Sequence, residues 1–343
     1  MKVALVTTIY PFIQGGARNI VNWLAKELVE RKHEVEIFTI PQSESPELVL
    51  LQSYNMRLIK LDRVDKVITF RPQSHLIKHP NKSVWFIHHM RGFYDLWNTS
   101  YSSYQGGDLA DGIRRELMHI DTKALNEAKM IYSNSMTVAT RLKKFNNIDS
   151  EVLYPPLLNS AEFRFEAMNN ELVYVSRLEH HKRQHLIIEA MRWIHEPYTL
   201  RIVGLASSLD YVRYLKGIVK SNNLSERVLV ENKWITEEEK IKLLSRCWMN
   251  IYIPFDEDSY GYPTLEAAYS EKATLTLEDS GGVLEFVVNN VNGIVANSHP
   301  KEIARRINEV IDLGISRNLG IAARERIDEL DINWDSVIDR LLK

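Results

Sequence analysis

Short apolar runs alternate with stretches of helical periodicity along most of the chain. The run KVALVTTI is followed by residues 17–31, in which apolar side chains recur at helical spacing, and then by HEVEIFTI at residues 33–40. A strand, a helix and a second strand in this order form a βαβ unit with parallel strands. The alternation therefore predicts an α/β fold in which helices cover both faces of a parallel sheet.

The same alternation continues through the first half of the chain and then begins again. Further strand candidates of the first half are RLIKL (57–61), SVWFIHH (83–89), MIYSNS (130–135) and EVLYPP (151–156). Those of the second half are ELVYVSRL (171–178), YTLRIVG (198–204), RVLVENKWI (227–235), MNIYIPF (249–255) and KATLTL (272–277), with QHLIIEAMRWI (184–194) as an amphipathic helix. At 343 residues the chain is long for one core, so two domains of similar size are expected.

The Pro155–Pro156 pair stops regular structure between the two halves, because proline lacks a backbone donor and fixes its own backbone. We therefore predict one Rossmann-like domain at residues 1–156 and a second at residues 157–330. Each would be a doubly wound sheet, and ligands of such sheets bind beyond the carboxyl ends of the strands. An interdomain cleft formed by these strand ends is where the chemistry is expected.

Composition and charge narrow the function classes. The chain is 45% hydrophobic and 26% charged, as globular proteins are, and its formal net charge of −2 gives no reason to expect nucleic acid as a partner. Cys247 is the only cysteine, which excludes an internal disulfide and is typical of a reducing compartment. No apolar stretch is long enough to span a bilayer, and the first residues do not resemble a signal peptide. We expect a cytoplasmic protein, with peripheral contact to a membrane left open.

Two strand-to-helix junctions carry candidates for phosphate binding. Gly15 and Gly16 follow the first strand, and without Cβ atoms their backbone can approach a ligand at a helix N-terminus. They lack the Gly-x-Gly-x-x-Gly spacing of nicotinamide enzymes, and a plain tight turn explains them equally well. In SRLEHHKRQH, Arg177 and Lys182 could together neutralise a diphosphate, although a solvated basic loop is the alternative. The histidines of that segment do not have the spacing of a metal site.

His88 and His89 end an apolar strand and precede a glycine and several aromatic residues. Their side chains should point to opposite sides of the strand, so at most one of them easily faces the cleft. A structural histidine and a functional histidine at the carboxyl end of a strand both remain open. Arg91 is a weaker companion candidate.

The segment EDSYGYPTLEAA follows the strand MNIYIPF and should lie at the carboxyl edge of the second sheet. Gly261 permits close backbone approach, and the proline after it stiffens the start of a helix predicted to begin near Thr264. Glu266 would sit in the first helical turn, where it could cap the helix or accept hydrogen bonds from two vicinal hydroxyls such as those of a ribose. Asp258 would reach a different group, and Glu257 is expected to be solvated.

Taken together and in order, these segments resemble the retaining glycosyltransferases of family 4, which have the two-domain GT-B fold. The family's GRL…K element is matched by SRLEHHK, its EGFGLPVLEA signature by DSYGYPTLEA, and its GG(I/V)xE segment by SGGVLEFV. Its final segment is similar to NWDSVIDRLL, so residues 331–343 are expected to form a helix that crosses back to the first domain. The resemblance covers nearly the whole chain.

The resemblance assigns roles to the charged residues of the second domain. Arg177 and Lys182 fall on the basic pair that holds the nucleotide diphosphate and stabilises its departure. Glu266 falls on the glutamate that typically binds the ribose. Asp258 replaces a glutamate that typically contacts the donor sugar, and aspartate is one methylene shorter. This departure leaves the choice of donor sugar open.

Nine further residues match family elements that contact the donor. The turn of the second domain offers backbone amides to the phosphates and the sugar, two residues lie near the base, and three belong to the first domain. They are Gly261, Tyr262, Pro263, Thr264, Trp234, Ile235, Gly15, Gly16 and His88. In the family the donor is a substrate rather than a cofactor, and no metal is usually needed.

The implied function is transfer of a hexose, with anomeric retention, from a nucleotide-diphosphate sugar, UDP-sugar being favoured, to a saccharide or lipid-linked acceptor. Such reactions build polysaccharides and glycoconjugates. A nucleotide-sugar-binding pseudo-transferase that supports a partner enzyme is the alternative, for which the aspartate at position 258 is the support. Another GT-B enzyme such as a sugar-nucleotide epimerase, or a nicotinamide oxidoreductase, fits the motifs less well. The acceptor, the linkage and the oligomeric state are not specified.

Overall fold

The computed structural model describes residues 1–11, 15–43, 45–99 and 107–343. The chain divides into two compact units. Unit 1 comprises Met1–Pro156 and Ile332–Lys343, and unit 2 comprises Leu157–Asp331. The chain therefore passes from unit 1 to unit 2 directly after the proline pair and returns to unit 1 for its last segment.

Unit 1 is built on a parallel six-stranded sheet. Its strands are β1 (Lys2–Ile9), β2 (Glu34–Pro41), β3 (Lys66–Thr69), β4 (Lys82–Phe86), β5 (Met130–Ser133) and β6 (Glu151–Val152). The helices are α1 (Gly16–Glu30), α2 (Pro46–Met56), α3 (Asp108–Leu125) and α4 (Met136–Asn146), with short 3-10 turns at Ser74–Leu76 and Arg91–Phe93. The strand order β2-β1-β3-β4-β5-β6 puts a topological switch point between β1 and β3, where a doubly wound sheet offers its ligand crevice.

One predicted strand of unit 1 is wrong. RLIKL at 57–61 forms the turn after α2 and a loop, and the third strand is Lys66–Thr69 instead, all four residues of which are buried. Ile59 and Leu61 nevertheless pack against the core from the loop as partly buried residues. The apolar pattern of this run therefore reports a loop laid over the core, which hydrophobic periodicity cannot distinguish from a strand.

Unit 2 repeats the architecture with a second parallel six-stranded sheet. Its strands are β7 (Glu171–Val175), β8 (Thr199–Val203), β9 (Val228–Glu231), β10 (Met249–Ile251), β11 (Thr274–Leu277) and β12 (Gly293–Ala296). Its helices are α5 (Gln184–Ala190), α6 (Leu209–Ser221), α7 (Glu237–Arg246), α8 (Tyr262–Tyr269), α9 (Val283–Phe286), α10 (Pro300–Leu313) and α11 (Ser316–Glu329), with 3-10 turns at Ser160–Glu162 and His180–Lys182. The order β12-β11-β10-β7-β8-β9 puts the switch point between β7 and β10. The predicted pair of doubly wound α/β sheets is confirmed.

The last helix, α12 (Trp334–Leu341), belongs to unit 1. The Trp334 ring meets the edge of the buried Trp85 ring at 6.5 Å between centroids. The Tyr132 hydroxyl donates to the carbonyl of Arg340 at 2.9 Å, and Arg31 pairs with Asp335. Aromatic packing and polar contacts together dock the end of the chain on the sheet of unit 1.

Candidate functional site

Lys182 is a buried cation at the switch point of unit 2. It ends the 3-10 turn that follows β7, and its Nζ donates to the Tyr252 hydroxyl at 3.1 Å. The same ammonium forms an ion pair with Glu257 and lies 5.2 Å from the centroid of the Tyr252 ring. A lysine this deeply enclosed needs such partners, because burial of an unpaired charge is costly.

Glu257 corrects one expectation. It was predicted to be solvated, but its carboxylate pairs with Lys182 and accepts a hydrogen bond from the Tyr252 hydroxyl at 3.2 Å. Its carbonyl also accepts from the backbone N–H of Gly282 at 2.8 Å, which holds the segment against the loop after β11. Lys182 and Glu257 are 75 positions apart, so no local pattern reports their contact.

Arg177 lies at the rim of the same sheet edge. Its side chain is about half exposed, and one guanidinium nitrogen donates to Glu179 at 2.7 Å. Glu179 also accepts from the Ser207 hydroxyl at 2.7 Å and faces the His181 ring at 3.3 Å. Burial and the nearby Lys182 ammonium lower the pKa of His181 to about 4, so that ring is neutral near pH 7. Arg177 is thus an accessible cation beside a buried one.

Arg183 is a residue of this edge that sequence reasoning missed. Its Nε donates to the carbonyl of Ile253 at 2.9 Å and Nη2 to that of Pro254 at 2.6 Å. The guanidinium also forms a bidentate pair with Asp279, both contacts at 2.7 Å. One buried arginine therefore ties the segment after β7 to the segments after β10 and β11. The only signal in the sequence was its place next to Lys182.

The turn into α8 has a backbone that only glycine suits. Gly261 has φ of +72°, and a Cβ there would lie well inside van der Waals contact with the Tyr252 ring. The helix begins at Tyr262, two residues before the predicted Thr264, with Pro263 in its first turn. Close packing against Tyr252 accounts for the glycine, and Asp258 precedes this turn on a partly buried stretch.

Glu266 is a buried carboxylate on α8. The Nζ atom of Lys240, on α7, lies 2.6 Å from its Oε1. Burial raises the pKa of Glu266, and the Lys240 ammonium acts against that rise. The Oγ1 of Thr264 is also buried and has no hydrogen-bond partner in the described part of the chain. A carboxylate and a hydroxyl without their full set of partners are groups that a polyhydroxylated ligand could satisfy.

The Gly281–Gly282 pair belongs to the SGGVLEFV segment, which follows β11. A Cβ at Gly281 would clash with the carbonyl oxygen of Glu257, and one at Gly282 would clash with the backbone of Ser259. Two loops of the sheet edge thus approach each other backbone to backbone, and this packing explains both glycines.

Trp234 and Ile235 follow β9 and differ in environment. The Trp234 side chain is exposed, whereas Ile235 lines a cavity of about 250 Å³. Arg201 lies in the same cavity and pairs with Glu171 at 2.9 Å and Glu231 at 3.1 Å. The cavity walls are therefore charged but largely satisfied by one another, and Ile235 is an apolar position at their margin.

In unit 1, Gly15 and Gly16 lie at the N-terminus of α1. Gly15 precedes the helix in an extended conformation, and its carbonyl accepts from the N–H groups of Arg18 and Asn19 at 3.0 and 3.2 Å. Among the described residues, the N–H groups of Gly16 and Ala17 at the start of this 15-residue helix have no backbone acceptor and could face an anion. The three residues before Gly15, part of the predicted loop, lie outside the described residues. A Cβ at Gly15 would meet open space, so no packing contact in the described chain requires a glycine there.

The structure separates the two histidines that end β4. The His89 ring is buried and its Nε2 donates to Asn146 at 2.9 Å, whereas His88 is only partly buried. His88 Nδ1 donates to the carbonyl of His89 at 2.6 Å, which leaves its Nε2 as a hydrogen-bond acceptor. Burial and the Arg71 guanidinium lower the pKa of His88 to about 3. The accessible ring is neutral near pH 7.

Arg71 was also missed by sequence reasoning. It follows β3, the strand that was predicted in the wrong place, and its guanidinium donates to the carbonyl of Thr8 at 3.1 Å. The guanidinium carbon lies 5.2 Å from the centroid of the Tyr10 ring. Arg71 is therefore a cation at the β1–β3 switch point of unit 1, next to the neutral His88.

Two features are absent from the described part of the chain. Within it, no group of three or more His, Cys, Asp or Glu side chains could hold a metal ion. None of the helices described has the length and apolar character that a membrane span requires.

Comparison with protein families concerns unit 2 above all. A family model described as glycosyl transferases group 1 matches residues 158–326. The matched residues make up just under half of the chain. They lie within unit 2 and include every unit 2 residue of the candidate site.

A curated enzyme is similar to part of this chain. The alpha-1,3/1,6-mannosyltransferase ALG2 of Dictyostelium discoideum is 32% identical over 127 residues. That alignment covers 37% of this chain and 30% of ALG2, so the match spans less than a third of the relative.

Solved structures extend the likeness to the whole chain. One is Anabaena HepE in complex with UDP and glucose, with a TM-score of 0.69 and 18% identity over 98% of this chain and 99% of that one. Another is sucrose-phosphate synthase from Thermosynechococcus elongatus, with a TM-score of 0.75 and 17% identity over 98% and 97%. At these identities the likeness concerns the fold, and it supports the predicted GT-B class.

Proposed function

We propose that the chain is a retaining glycosyltransferase that moves a hexose from a nucleotide-diphosphate sugar, UDP-sugar in the first instance, to a saccharide or lipid-linked acceptor. The observation that carries the proposal is the carboxyl edge of unit 2, where the buried Lys182 contacts Tyr252, the Gly261 turn packs against the same ring, and the buried Glu266 follows that turn on α8. A cation for the diphosphate and a carboxylate for the ribose are the two groups that a nucleotide-diphosphate donor requires. The group 1 family match and the UDP bound in the HepE complex support this choice.

The roles in unit 2 follow from chemistry and position. Lys182 and Arg177 would bind the diphosphate, the first as a buried point charge and the second as an accessible fork. Glu266 would accept from the ribose hydroxyls, and Asp258 would contact the donor sugar. The backbone from Gly261 to Thr264 would face the phosphates, and Trp234 and Ile235 would contact the base.

The roles in unit 1 concern the reacting end of the donor. Gly15 and Gly16 would present the N–H groups of α1 to the diphosphate. His88 would accept a hydrogen bond from a sugar hydroxyl through Nε2, because its Nδ1 is already a donor to the chain. A neutral His88 with a pKa of about 3 is suited to hold a hydroxyl and unsuited to donate a proton near pH 7.

The chemistry would depend on stabilising the leaving group. As the bond between the anomeric carbon and the diphosphate breaks, negative charge grows on the phosphate oxygen, and the cations of unit 2 stabilise it. We propose that the acceptor hydroxyl attacks from the same face and passes its proton to that oxygen, which gives retention without a protein nucleophile. The new bond joins the anomeric carbon to the acceptor oxygen, and the protonated diphosphate leaves.

The proposal is tested by incubating the protein with UDP-, GDP- and ADP-hexoses, with and without a mixture of oligosaccharide and polyprenyl-linked acceptors. We expect release of one nucleoside diphosphate, faster when an acceptor is present, and a product whose anomeric configuration matches that of the donor by NMR. Inversion would remove the retaining mechanism. No release from any pair of substrates would count against enzymatic activity.

A second function is favoured by one contact. Lys182, the cation proposed for the diphosphate, is already paired with Glu257. A site whose cation is occupied by its own carboxylate is also compatible with a weakly active protein that binds a nucleotide sugar and supports a partner enzyme. Tight nucleotide binding by calorimetry without turnover would favour this function, and turnover would dismiss it.

A further inference from the structure

Lys240 is an enclosed lysine whose ammonium points at the proposed ribose carboxylate. It lies in the second turn of α7, a helix fixed at its start by a capping box between Thr236 and Glu239. Only 17% of the Lys240 side chain is exposed. Its Nζ lies 2.6 Å from Oε1 of Glu266 and 3.0 Å from Glu237, one turn earlier on the same helix. The ammonium therefore bridges α7 and α8.

Glu266 needs this partner more than an ordinary surface glutamate would. Its side chain is 5% exposed, and an isolated carboxyl at that depth favours the neutral acid. The ionisable groups that act on it are Lys240 and Glu237 of α7 and the buried Tyr262 of its own helix. Of these, only Lys240 favours the charged form.

The two carboxylate oxygens of Glu266 differ in their hydrogen-bond partners. Lys240 occupies Oε1, and among the described residues Oε2 has no hydrogen-bond partner. A carboxylate accepts from a diol when it is ionised and held in one orientation, because each hydroxyl then donates to a fixed lone pair. A rotating or protonated carboxyl would lose one of these bonds.

We propose that Lys240 is a positioning residue for ribose recognition, which holds Glu266 as an oriented carboxylate whose free oxygen is presented to the vicinal hydroxyls of the nucleotide. The inference rests on the proposed function, since it assumes that Glu266 binds the ribose. A competing role is purely structural, in which the ion pair only ties α7 to α8. The two roles differ in whether loss of Lys240 affects the ribose hydroxyls in particular.

The test measures binding by calorimetry for UDP and for 2′,3′-dideoxy-UDP, which lacks both hydroxyls. If the wild type prefers GDP or ADP, the matching dideoxy pair is used. We expect the wild type to bind the ribonucleotide about 10-fold to 100-fold more tightly than the dideoxy analogue, the range of one or two charge-assisted hydrogen bonds. Lys240→Met should bring that ratio to within about 3-fold, with little effect on the affinity for the dideoxy analogue. Lys240→Arg should recover part of it.

Controls separate the possible failures. Lys220→Met removes an exposed lysine from α6 of the same unit and should leave the ratio as in the wild type. Glu266→Gln should lose the ratio whether or not Lys240 matters. Melting temperatures identify a variant that is not folded, and Lys240→Gln replaces Lys240→Met if that variant fails.

Each outcome decides between the roles. If Lys240→Met no longer binds the ribonucleotide more tightly than the dideoxy analogue, the positioning role of Lys240 is supported. The inference is overturned, and the proposed function stands, if Lys240→Met weakens the binding of both nucleotides equally. The same conclusion follows if Lys240→Met keeps the wild-type ratio while Glu266→Gln loses it. A wild type that binds no nucleoside diphosphate, or binds both forms equally, overturns the ribose assignment and the inference together.

Discussion

The carboxyl edges of the two sheets are built from different kinds of side chain. In unit 2, a buried and a partly buried lysine pair with carboxylates, Lys182 with Glu257 and Lys240 with Glu266. In unit 1, the accessible group is a neutral imidazole, His88, beside an arginine that rests on a backbone carbonyl. Enclosed ion pairs are tolerated only when packing places both partners correctly, so the edge of unit 2 holds a preformed set of charges.

The difference teaches how the work of a transferase can be divided. A nucleotide-diphosphate donor always brings the same diphosphate and ribose, and a preformed set of charges suits constant chemistry. An acceptor varies between enzymes, and beyond the donor contacts proposed for Gly15, Gly16 and His88, the edge of unit 1 offers Arg71 as a cation for an acceptor. The following predictions test this division, from the largest expected effect to the smallest.

Lys182→Ala should have the largest effect. It removes the buried cation proposed for the diphosphate and leaves the Glu257 carboxylate facing the phosphates, so kcat/KM for the donor should fall about 100-fold or more. Steady-state kinetics with the donor measure the loss, and circular dichroism should show an intact fold. Adding Glu257→Ala to the variant should restore part of the activity. Unchanged kinetics in Lys182→Ala would remove the diphosphate assignment and break the comparison.

Glu266→Gln should raise the donor KM by about 10-fold to 30-fold with a smaller effect on kcat, because a neutral amide accepts more weakly from the ribose hydroxyls. The measurement is the KM and kcat split with the donor varied. Glu237→Gln on the neighbouring helix is the matched control and should change both constants little, since its side chain is about half exposed. A loss of melting temperature with normal kinetics would leave Glu266 only the structural role of tying α8 to α7 through Lys240.

Lowering the pH should reduce the stability of the folded chain, because unit 1 contains a buried imidazole that is neutral when folded. Burial lowers the pKa of His89 to about 4, below its ordinary value of about 6.5. Between these values the unfolded chain binds a proton that the folded chain does not, so stability is lost as pH falls from 6.5 towards 4. At pH 5 the loss from this residue should be about 2 kcal/mol relative to pH 7.

His89→Gln should reduce that dependence by the contribution of this residue, because the amide can still donate to Asn146 but does not titrate. Urea unfolding at pH 7 and pH 5 gives the difference in the free energy of unfolding. His119→Gln, at an exposed histidine of α3, is the control and should leave the slope close to that of the wild type. The same slope in His89→Gln and the wild type would show that His89 is not the group responsible.

Arg71→Ala sharpens the comparison by separating the two edges. We expect the dissociation constant of the nucleoside diphosphate to change less than about 2-fold, while transfer to the acceptor falls about 10-fold through the acceptor KM, as loss of one charged hydrogen bond would give. Calorimetry and acceptor-dependent turnover measure the two quantities. Arg63→Ala, an exposed arginine in the loop before β3, is the control. A large loss of nucleotide affinity would mean that Arg71 binds the donor, which contradicts the proposed difference between the two edges.

Asp258→Glu should have the smallest effect. It restores the length of the family's glutamate, so the overall rate should change by no more than about 3-fold, or less than 1 kcal/mol, while the preference among donor hexoses shifts. Competition between UDP-glucose, UDP-galactose and UDP-N-acetylglucosamine measures this preference. An unchanged ranking would mean that position 258 does not select the sugar.

Much of the fold follows from local pattern. Buried strands such as Lys2–Ile9 and Glu171–Val175 are recognisable as continuous apolar runs between helical segments, because both faces of a parallel sheet are covered. The same rule produced the one wrong strand at 57–61, since a loop over the core is apolar too.

Local pattern likewise identifies some residues of the candidate site and not others. The glycine at position 261 and the glutamate at 266 could be marked as candidates in the sequence, because a tight turn followed by a helix has its own residue preferences. Contacts between residues that are distant in the chain could not be predicted. Lys240 lies 26 positions before Glu266, and Arg183 lies 96 positions before Asp279.

The sequence by itself therefore determined the alternation of strands and helices, the break at the proline pair, and which residue types lie at the ends of strands. These are local properties, decided by periodicity, backbone freedom and turn chemistry. The tertiary structure alone decided that Glu257 is paired rather than solvated, that His88 rather than His89 is accessible, and that Lys240 faces Glu266. Each of these depends on which strand ends the topology brings side by side, and burial then sets the charge and the hydrogen-bonding role of the group that lies there.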